Sequence, residues 1–184
     1  MKQKWSNSVA LAGFVLAALC ASPALATDVH WKHVVGVITA TDNPATQTAE
    51  NFNSVGNVNA ATFAWSTRDG HARVNLDTGA VDFEVHGLVI IGTVFSGTPG
   101  PVQTVTGTLV CNAGSQQTEV EVDTSDAPID GQGNASFSGM LQGIPATCNS
   151  PAFLVRIATI ADPQNPNGAR GFWIATGTER TIRP

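Results

Sequence analysis

The chain has no tyrosine, few charged residues and few Lys and Arg, which are residue types that catalytic and nucleic-acid-binding proteins use often. Only 12% of its residues are charged. Nine Lys and Arg stand against fourteen Asp and Glu. This acidic balance argues against nucleic acid or an anionic membrane surface as a partner. Without tyrosine, the aromatic platform that most carbohydrate-binding sites use would have to come from Trp31, Trp65 or Trp173, and each of these sits in an apolar pattern.

Motifs of the common catalytic classes are also absent. The sequence has no Gly-x-Ser-x-Gly, no His-Glu-x-x-His and no phosphate-binding loop. Asp82 and Glu84 alternate onto one face of a predicted strand and could form a glycosidase-like carboxylate pair. Alternating acids on a strand are usually a solvated face. We therefore expect no catalytic function and no cofactor, and we rank a hydrolase built on these two acids as the least favoured alternative.

Residues 1–26 have the features of a secretory signal peptide. Lys2 and Lys4 precede an apolar stretch over 9–19, which is too short to span a bilayer. Ala24-Leu25-Ala26 then supplies a small-x-small cleavage site. We predict cleavage after Ala26 and a secreted or periplasmic location in a bacterium.

The remainder, residues 27–184, has the length of one domain. Cys20 suggests a lipoprotein alternative, but a lipobox has a small residue before the cysteine and here that residue is Leu19. No second apolar run is long enough for a membrane-spanning helix. We therefore predict one exported domain without a membrane span.

The clearest fold signal lies at residues 70–86. Val74 alternates with its polar neighbours, and after Asp77-Thr78-Gly79 the residues Val81, Phe83 and Val85 alternate with polar ones. Period-two alternation around a short glycine-containing turn is typical of a half-buried β-hairpin. Similar short segments separated by turn residues continue to the end of the chain, with no amphipathic helix. The sequence predicts an all-β antiparallel β-sandwich of about nine strands, immunoglobulin-like in type, with an antiparallel barrel as the alternative.

Other predicted strands include Val34–Thr41, Ala60–Ser66, Leu88–Phe95, Ala152–Ile160 and Arg170–Thr178. In the second of these, Phe63 and Trp65 are expected to share a face. Leu88–Phe95 is expected to be a buried central strand or the continuation of the preceding strand past a bulge. The three tryptophans of the domain sit in apolar patterns and are expected in the core; they are Trp31, Trp65 and Trp173.

Two cysteines, Cys111 and Cys148, follow the predicted leader. An even number of cysteines in an exported chain favours a disulfide, with two buried thiols as the alternative. Arg156 is the one charge inside an apolar strand. It is expected either to point outward or to pair internally with an acid.

Four histidines are the candidate metal ligands. His71 and His86 lie on opposite arms of the predicted hairpin and are expected to be near one another. His30 and His33 lie three residues apart close to the predicted mature N-terminus. No compact ligand motif connects the four, so solvated histidines are the simpler interpretation and a copper or zinc site is the alternative.

A run of acids is the candidate calcium site. It comprises Glu119, Glu121, Asp123, Asp126 and Asp130. It lacks the Asp-x-Asp-x-Asp-Gly spacing of a calcium loop. A charged outer face that discourages edge-to-edge strand pairing is the preferred interpretation.

Two segments carry a family resemblance. Residues 72–89, ARVNLDTGAVDFEVHGLV, resemble part of the chordin-like (CHRD) domain, an extracellular all-β module also found in bacteria. Residues 165–175, NPNGARGFWIA, are similar to its closing strand, and the two occur in the family's order. The resemblance implies a CHRD-like β-sandwich. The family's histidine elements are missing, because Gly87-Leu88 leads into Val89-Ile90-Ile91-Gly92 and Ala161-Asp162 precedes the last turn, so no histidine-dependent function transfers.

The whole chain also resembles small exported bacterial proteins of unassigned function that share the ARVNL, GLV, GTPG and GTLVC elements. Taken together, these features predict a non-catalytic binding or structural module with an unknown protein or small-molecule partner. The alternative is a periplasmic metal- or small-ligand-binding protein that uses His71 and His86.

Overall fold

The computed structural model of the protein describes residues 27–38, 54–115, 117–158 and 171–183. These ranges contain β-strands and no helix. All pairs of named strands are antiparallel. The all-β antiparallel prediction is therefore confirmed. The predicted signal peptide, with its cleavage site after Ala26, lies outside the described residues.

Thirteen strands follow one another along the described chain. They are β1 (Asp28–Gly36), β2 (Ser54–Val55), β3 (Val58–Asn59), β4 (Trp65–Ser66), β5 (Asp69–Asn75), β6 (Ala80–His86), β7 (Val89–Ile90), β8 (Thr104–Cys111), β9 (Val120–Asp123), β10 (Ala127–Pro128), β11 (Ala135–Met140), β12 (Ala152–Ile157) and β13 (Trp173–Arg183).

Nine of these strands form one sheet. Its order is β10-β8-β12-β13-β1-β5-β6-β11, and β9 also pairs with β8. The first and last strands of this path, β10 and β11, are consecutive in the chain and are joined by the short connection 129–134. Because so short a connection keeps its two strands near each other, the sheet curls into a half-barrel and its two ends lie close together. The fold is one curled, barrel-like sheet, and its opposite parts pack against each other across the core as the two layers of a sandwich do.

The β5–β6 hairpin forms as its alternation predicts. Its inward residues are buried on both arms, and its outward residues are exposed or half-buried. Gly79 closes the turn at φ 81°, a left-handed conformation that favours glycine. A Cβ at this position would also lie 2.5 Å from the Leu141 carbonyl oxygen. The turn therefore needs glycine for both conformation and space.

Aromatic rings fill the inside of the curl. The ring of Phe153 on β12 lies 5.6 Å from that of Trp31 on β1 and 5.6 Å from that of Phe83 on β6. Gly107 on β8 sits against this group, since a Cβ there would be 2.8 Å from both phenylalanine rings. The core thus joins strands from opposite parts of the sheet. Trp65 and Trp173 are also buried, so the prediction that all three tryptophans are core residues is confirmed.

A disulfide links Cys111, at the end of β8, to Cys148, as predicted. The two Cα atoms are 4.7 Å apart, and the cysteines are 37 residues apart in sequence. Beside the bond, the Asn112 amide donates to the Asn149 carbonyl at 2.8 Å. The segment that leads from β11 back to β12 is thereby fastened to the end of β8.

The prediction of a continuous strand over Leu88–Phe95 is wrong beyond its first residues. Only Val89–Ile90 is strand, and Val94 is 95% exposed. Gly92 and Gly97 have φ values of 76° and 84°, and turn hydrogen bonds follow one another between them. The glycines turn the chain out of the sheet before the apolar run ends.

Ala60–Ser66 is likewise a strand only at its end, over Trp65–Ser66. Phe63 is 54% exposed whereas Trp65 is 2% exposed, so the two do not share a face. The Ala61 amide donates to the Trp173 carbonyl at 2.9 Å, which ties this part of the segment to β13. The predicted strand ends at residues 39–41 and 158–160 lie wholly or partly outside the described residues, while β13 continues to Arg183.

Candidate functional site

The outer face of the β5–β6 hairpin gathers the polar side chains that the sequence singled out. The alternation that buries every second residue places the intervening ones together on this face. Cross-strand pairing then sets their order, with Asp69 opposite His86 and His71 opposite Glu84. The face comprises Asp69, His71, Arg73, Asp82, Glu84 and His86.

His86 lies between two carboxylates. Its Nε2 is 3.0 Å from Glu84 Oε1 and 3.8 Å from Asp69 Oδ1. Glu84 is two residues earlier on the same strand, and Asp69 is on the neighbouring strand. The imidazole is therefore oriented by the pleat and register of the hairpin.

His71 is close to His86 in the sheet but has a different partner. Its Nε2 lies 4.0 Å from Asp82 Oδ2. Its cross-strand partner is Glu84, the same residue that contacts His86. The two histidines are thus diagonal neighbours on one face, as predicted, and each faces a carboxylate of β6.

The other two histidines lie elsewhere. His30 is opposite Arg73 in the β1–β5 pair and lines a cavity of about 100 Å³ together with Asp28, Arg73 and Arg183. His33 Nε2 is 3.8 Å from Glu179 Oε1. Within the described ranges, no group of three His, Cys, Asp or Glu residues is placed to hold a metal ion. The four histidines do not form one site.

A cleft of about 320 Å³ opens beside the Glu84–His86 pair. It lies between β6, the start of β11 and the connection that joins β10 to β11. Its volume is at the lower end of the range of small-molecule sites. It is lined by Glu84, His86, Pro128, Ile129, Asp130, Asn134, Ala135 and Ser136.

A tight turn builds one wall of the cleft. Asp130 Oδ1 accepts hydrogen bonds from the backbone amides of Gln132 and Asn134, at 2.8 and 2.9 Å. Its Oδ2 accepts one from the Asn134 side chain at 2.9 Å. These hydrogen bonds hold the pKa of Asp130 below its ordinary value, and the one from the backbone amide of Asn134 contributes most. Asn134 in turn accepts a hydrogen bond from the Gly87 amide at 3.3 Å, which fixes the turn against the end of β6.

The cleft combines negative charge with apolar surface. Its described lining holds the carboxylates of Glu84 and Asp130 and the His86 imidazole, with no Lys or Arg. Pro128 and Ile129 supply apolar contacts on the other side. Because Asp130 is engaged in its own turn, Glu84 is the carboxylate that a ligand would meet. This arrangement suits a small molecule with a cationic or hydrogen-bond-donating group and an apolar part.

The acidic run that suggested calcium is engaged in hydrogen bonds along β8 and β9. Asp126 and Asp123 accept hydrogen bonds from Thr106 and Thr108, at 3.0 and 2.5 Å. Glu121 contacts Arg156 at 2.6 Å. Glu119 accepts from the amides of Asn57 and Gly114, at 2.6 and 3.1 Å. Each of these carboxylates therefore has a structural role in holding loops and strands in place.

Asp82 does not line the cleft that Glu84 lines. The two acids considered for hydrolysis share a strand face, but only Glu84 lines this cleft. Sequence reasoning did not single out Asn134 or Ser136. The spacing Asp130-Gly131-Gln132-Gly133-Asn134 is a turn signal, yet only the fold brings that turn next to β6.

Comparison with protein-family models, with curated proteins and with solved structures finds no match for the chain. Among the described residues, there is no helix of the length and apolar character needed to cross a membrane. Residues 165–170, which begin the second segment of the CHRD resemblance, lie outside the described residues. Function is therefore inferred from the side chains of the site.

Proposed function

We propose that the protein is an exported, non-catalytic binding module that holds a small cationic ligand in the cleft between β6, β11 and the turn 130–134. One observation carries the proposal. Glu84, oriented by a 3.0 Å contact with His86, lines a cleft of about 320 Å³ that has no Lys or Arg in its described lining.

The charge of the site favours a cation. A carboxylate at a partly enclosed surface attracts an ammonium group and can accept its hydrogen bonds. Ile129 and Pro128 offer contacts to the carbon skeleton of such a ligand. A negative net charge over the whole chain, −5 by formal count, acts in the same direction during encounter.

Export is supported by two independent features. The first 26 residues have a basic start, an apolar stretch and a small-x-small site before Thr27. The Cys111–Cys148 disulfide is typical of an oxidising compartment. The CHRD resemblance agrees with an exported β-module. The lack of catalytic motifs supports binding over turnover.

Calorimetric titration of the exported protein tests this proposal. Spermidine and choline are the cationic probes, and glucose is the uncharged one. We expect saturable binding of a cationic probe and none of glucose. Glu84→Gln removes the charge without changing the shape and should weaken binding about tenfold or more, since a charge-assisted contact contributes about 1.5 kcal/mol.

Asp82→Asn is the matched control. It removes one negative charge from the same strand face but lies outside the cleft. Binding that is equally weakened by Asp82→Asn and Glu84→Gln would indicate general electrostatic attraction and would contradict a site in the cleft. Absence of binding by both cationic probes would also count against the proposal.

A metal-binding function is the second candidate. It rests on the 3.0 Å contact between Glu84 and His86, with His71 opposite Glu84 on the next strand; this supplies two ligands rather than a group of three among the described residues. Native mass spectrometry with Cu²⁺ and Zn²⁺ tests it. Stoichiometric metal that is lost in His71→Ala/His86→Ala would support it, and no bound metal would exclude it.

A further inference from the structure

The first described residue, Thr27, is held by its backbone at the tip of the β5–β6 hairpin. Its nitrogen is 2.5 Å from Asp77 Oδ2, and its carbonyl oxygen accepts a hydrogen bond from the Leu76 amide at 2.9 Å. Thr27 is also the residue that directly follows the predicted cleavage site Ala24-Leu25-Ala26. The nitrogen that contacts Asp77 in the fold is therefore the same nitrogen that the predicted cleavage would turn into the N-terminus.

Asp77 sits in a turn that is ordered by a single side chain. Asn75 Oδ1 accepts hydrogen bonds from the backbone amides of Asp77 and Thr78, at 3.2 and 2.8 Å. It also accepts one from the Thr78 hydroxyl at 2.8 Å. The carboxylate of Asp77 is therefore presented from a fixed position.

The residue after Thr27 is anchored as well. Asp28 accepts hydrogen bonds from Arg73 at 2.5 Å and from the Asn75 side chain at 2.9 Å. The hydrogen bond from Arg73, with that from Asn75, holds the pKa of Asp28 below its ordinary value. The start of β1 is therefore held at Asp28 as well as at Thr27.

We propose that Asp77 is the receptor for the α-ammonium group that signal-peptide removal creates on Thr27. Hydrolysis of the Ala26–Thr27 peptide bond consumes one water. The new carboxylate is left on Ala26 and the new amine on Thr27, which takes up a proton near neutral pH. A single neutral N–H at this position becomes a charged group with three donors.

This exchange strengthens an existing contact. An ammonium–carboxylate hydrogen bond is charge-assisted and roughly twice as strong as a neutral one. The processed N-terminus would then be tied to the hairpin and less available to amine-reactive reagents or aminopeptidases. The inference rests on the export that the proposed function includes, but not on the ligand in the cleft.

The test uses full-length chains that are exported and purified from the periplasm. Intact mass first establishes the N-terminal residue, which we expect to be Thr27. The rate of α-amine acetylation at neutral pH is then followed by peptide mass spectrometry, with Lys32 as the internal reference. We expect acetylation to be about threefold to fivefold faster in Asp77→Asn than in the wild type, since an exposed ion pair contributes up to about 1 kcal/mol.

A second variant tests the geometry and leaves Asp77 unchanged. Insertion of one glycine between Ala26 and Thr27 moves the amine one residue away from the carboxylate, and this amine should also react faster. Asp82→Asn, an equal change of charge elsewhere on the hairpin, should react like the wild type. Equal rates in the wild type and both test variants would overturn the proposal.

Cleavage at another bond would also overturn it, because the ammonium would then not arise at Thr27. Neither of these outcomes bears on ligand binding in the cleft. Conversely, failure of the cationic probes to bind, with a protected amine at Thr27, would remove the proposed ligand and leave this inference standing.

Discussion

Arg156 on β12 reaches across β8 and donates a hydrogen bond to the carboxylate of Glu121 on β9 at 2.6 Å. Its Nε also donates to the Gly171 carbonyl at 2.9 Å. The sequence left two possibilities open for this charge, and the structure shows the internal pair. Only 10% of the Arg156 side chain is exposed, so its charge depends on acceptors supplied by the protein.

Glu121→Gln should therefore lower the free energy of unfolding by roughly 1–3 kcal/mol, because it leaves a mostly buried guanidinium with a weaker acceptor. The matched control is Glu179→Gln, whose carboxylate pairs with Lys32 on an exposed surface. That change should cost less than about 0.5 kcal/mol. Urea denaturation measures both, and equal losses would contradict a structural role for the Arg156–Glu121 pair.

Gly107 tests the packing inside the curled sheet. A Cβ at this position would overlap the rings of Phe83 and Phe153. Gly107→Ala should destabilise the fold by about 1–3 kcal/mol through overpacking. Gly131→Ala is the control, because a Cβ at that position has nothing within 4 Å.

The double variant Gly107→Ala/Phe83→Leu should lose less free energy of unfolding than the sum of the two single losses. The smaller side chain at position 83 makes room for the new methyl group. Denaturation of the two single variants and the double variant forms a mutant cycle. Strictly additive losses would show that these two positions do not meet across the core.

The disulfide should be a main source of stability. Replacing both Cys111 and Cys148 with alanine should lower the free energy of unfolding by about 4 kcal/mol, because the unfolded chain regains the entropy of a loop of nearly forty residues. Denaturation with and without a reductant gives the measurement. Reductant should lower the free energy of unfolding of the wild type and leave that of the double variant unchanged. An unchanged free energy of unfolding of the wild type in reductant would contradict the prediction.

Asp130 should make stability depend on acid. Its pKa is below the ordinary value near 3.8 because the folded turn stabilises the charged carboxylate. This contribution is present above the unfolded pKa and is lost as the pH falls through the folded one. Asp130→Asn should therefore lose less stability than the wild type between pH 5 and about pH 2 in urea denaturation series. Identical acid slopes in the two proteins would contradict the role of the turn.

Local patterns predicted the β5–β6 hairpin well. Alternation around Asp77-Thr78-Gly79 specifies which residues face inward, and the Cys111–Cys148 bond follows from the parity of the cysteines. Strand lengths were predicted less well. The apolar residues of Leu88–Phe95 indicate a strand, but positive-φ glycines at 92 and 97 turn the chain outward.

The cleft depends on contacts that local patterns do not contain. Glu84 and His86 were both identified from the hairpin, yet their neighbours Asn134 and Ser136 lie about fifty residues later. The antiparallel pairing of β11 with β6 places the turn at Asp130 beside β6, and Pro128 of β10 then completes the lining. Sequence reasoning therefore found the polar strand face and missed the wall opposite it.

The central claim is that the cleft binds a small cation. Backbone amide NMR shifts during titration with spermidine test it most directly. We predict saturable shifts that cluster at Glu84, His86, Ile129 and Ala135, and that need about tenfold or more spermidine to saturate in Glu84→Gln. Shifts confined to other surfaces, or no saturable shifts in the wild type, would contradict the claim.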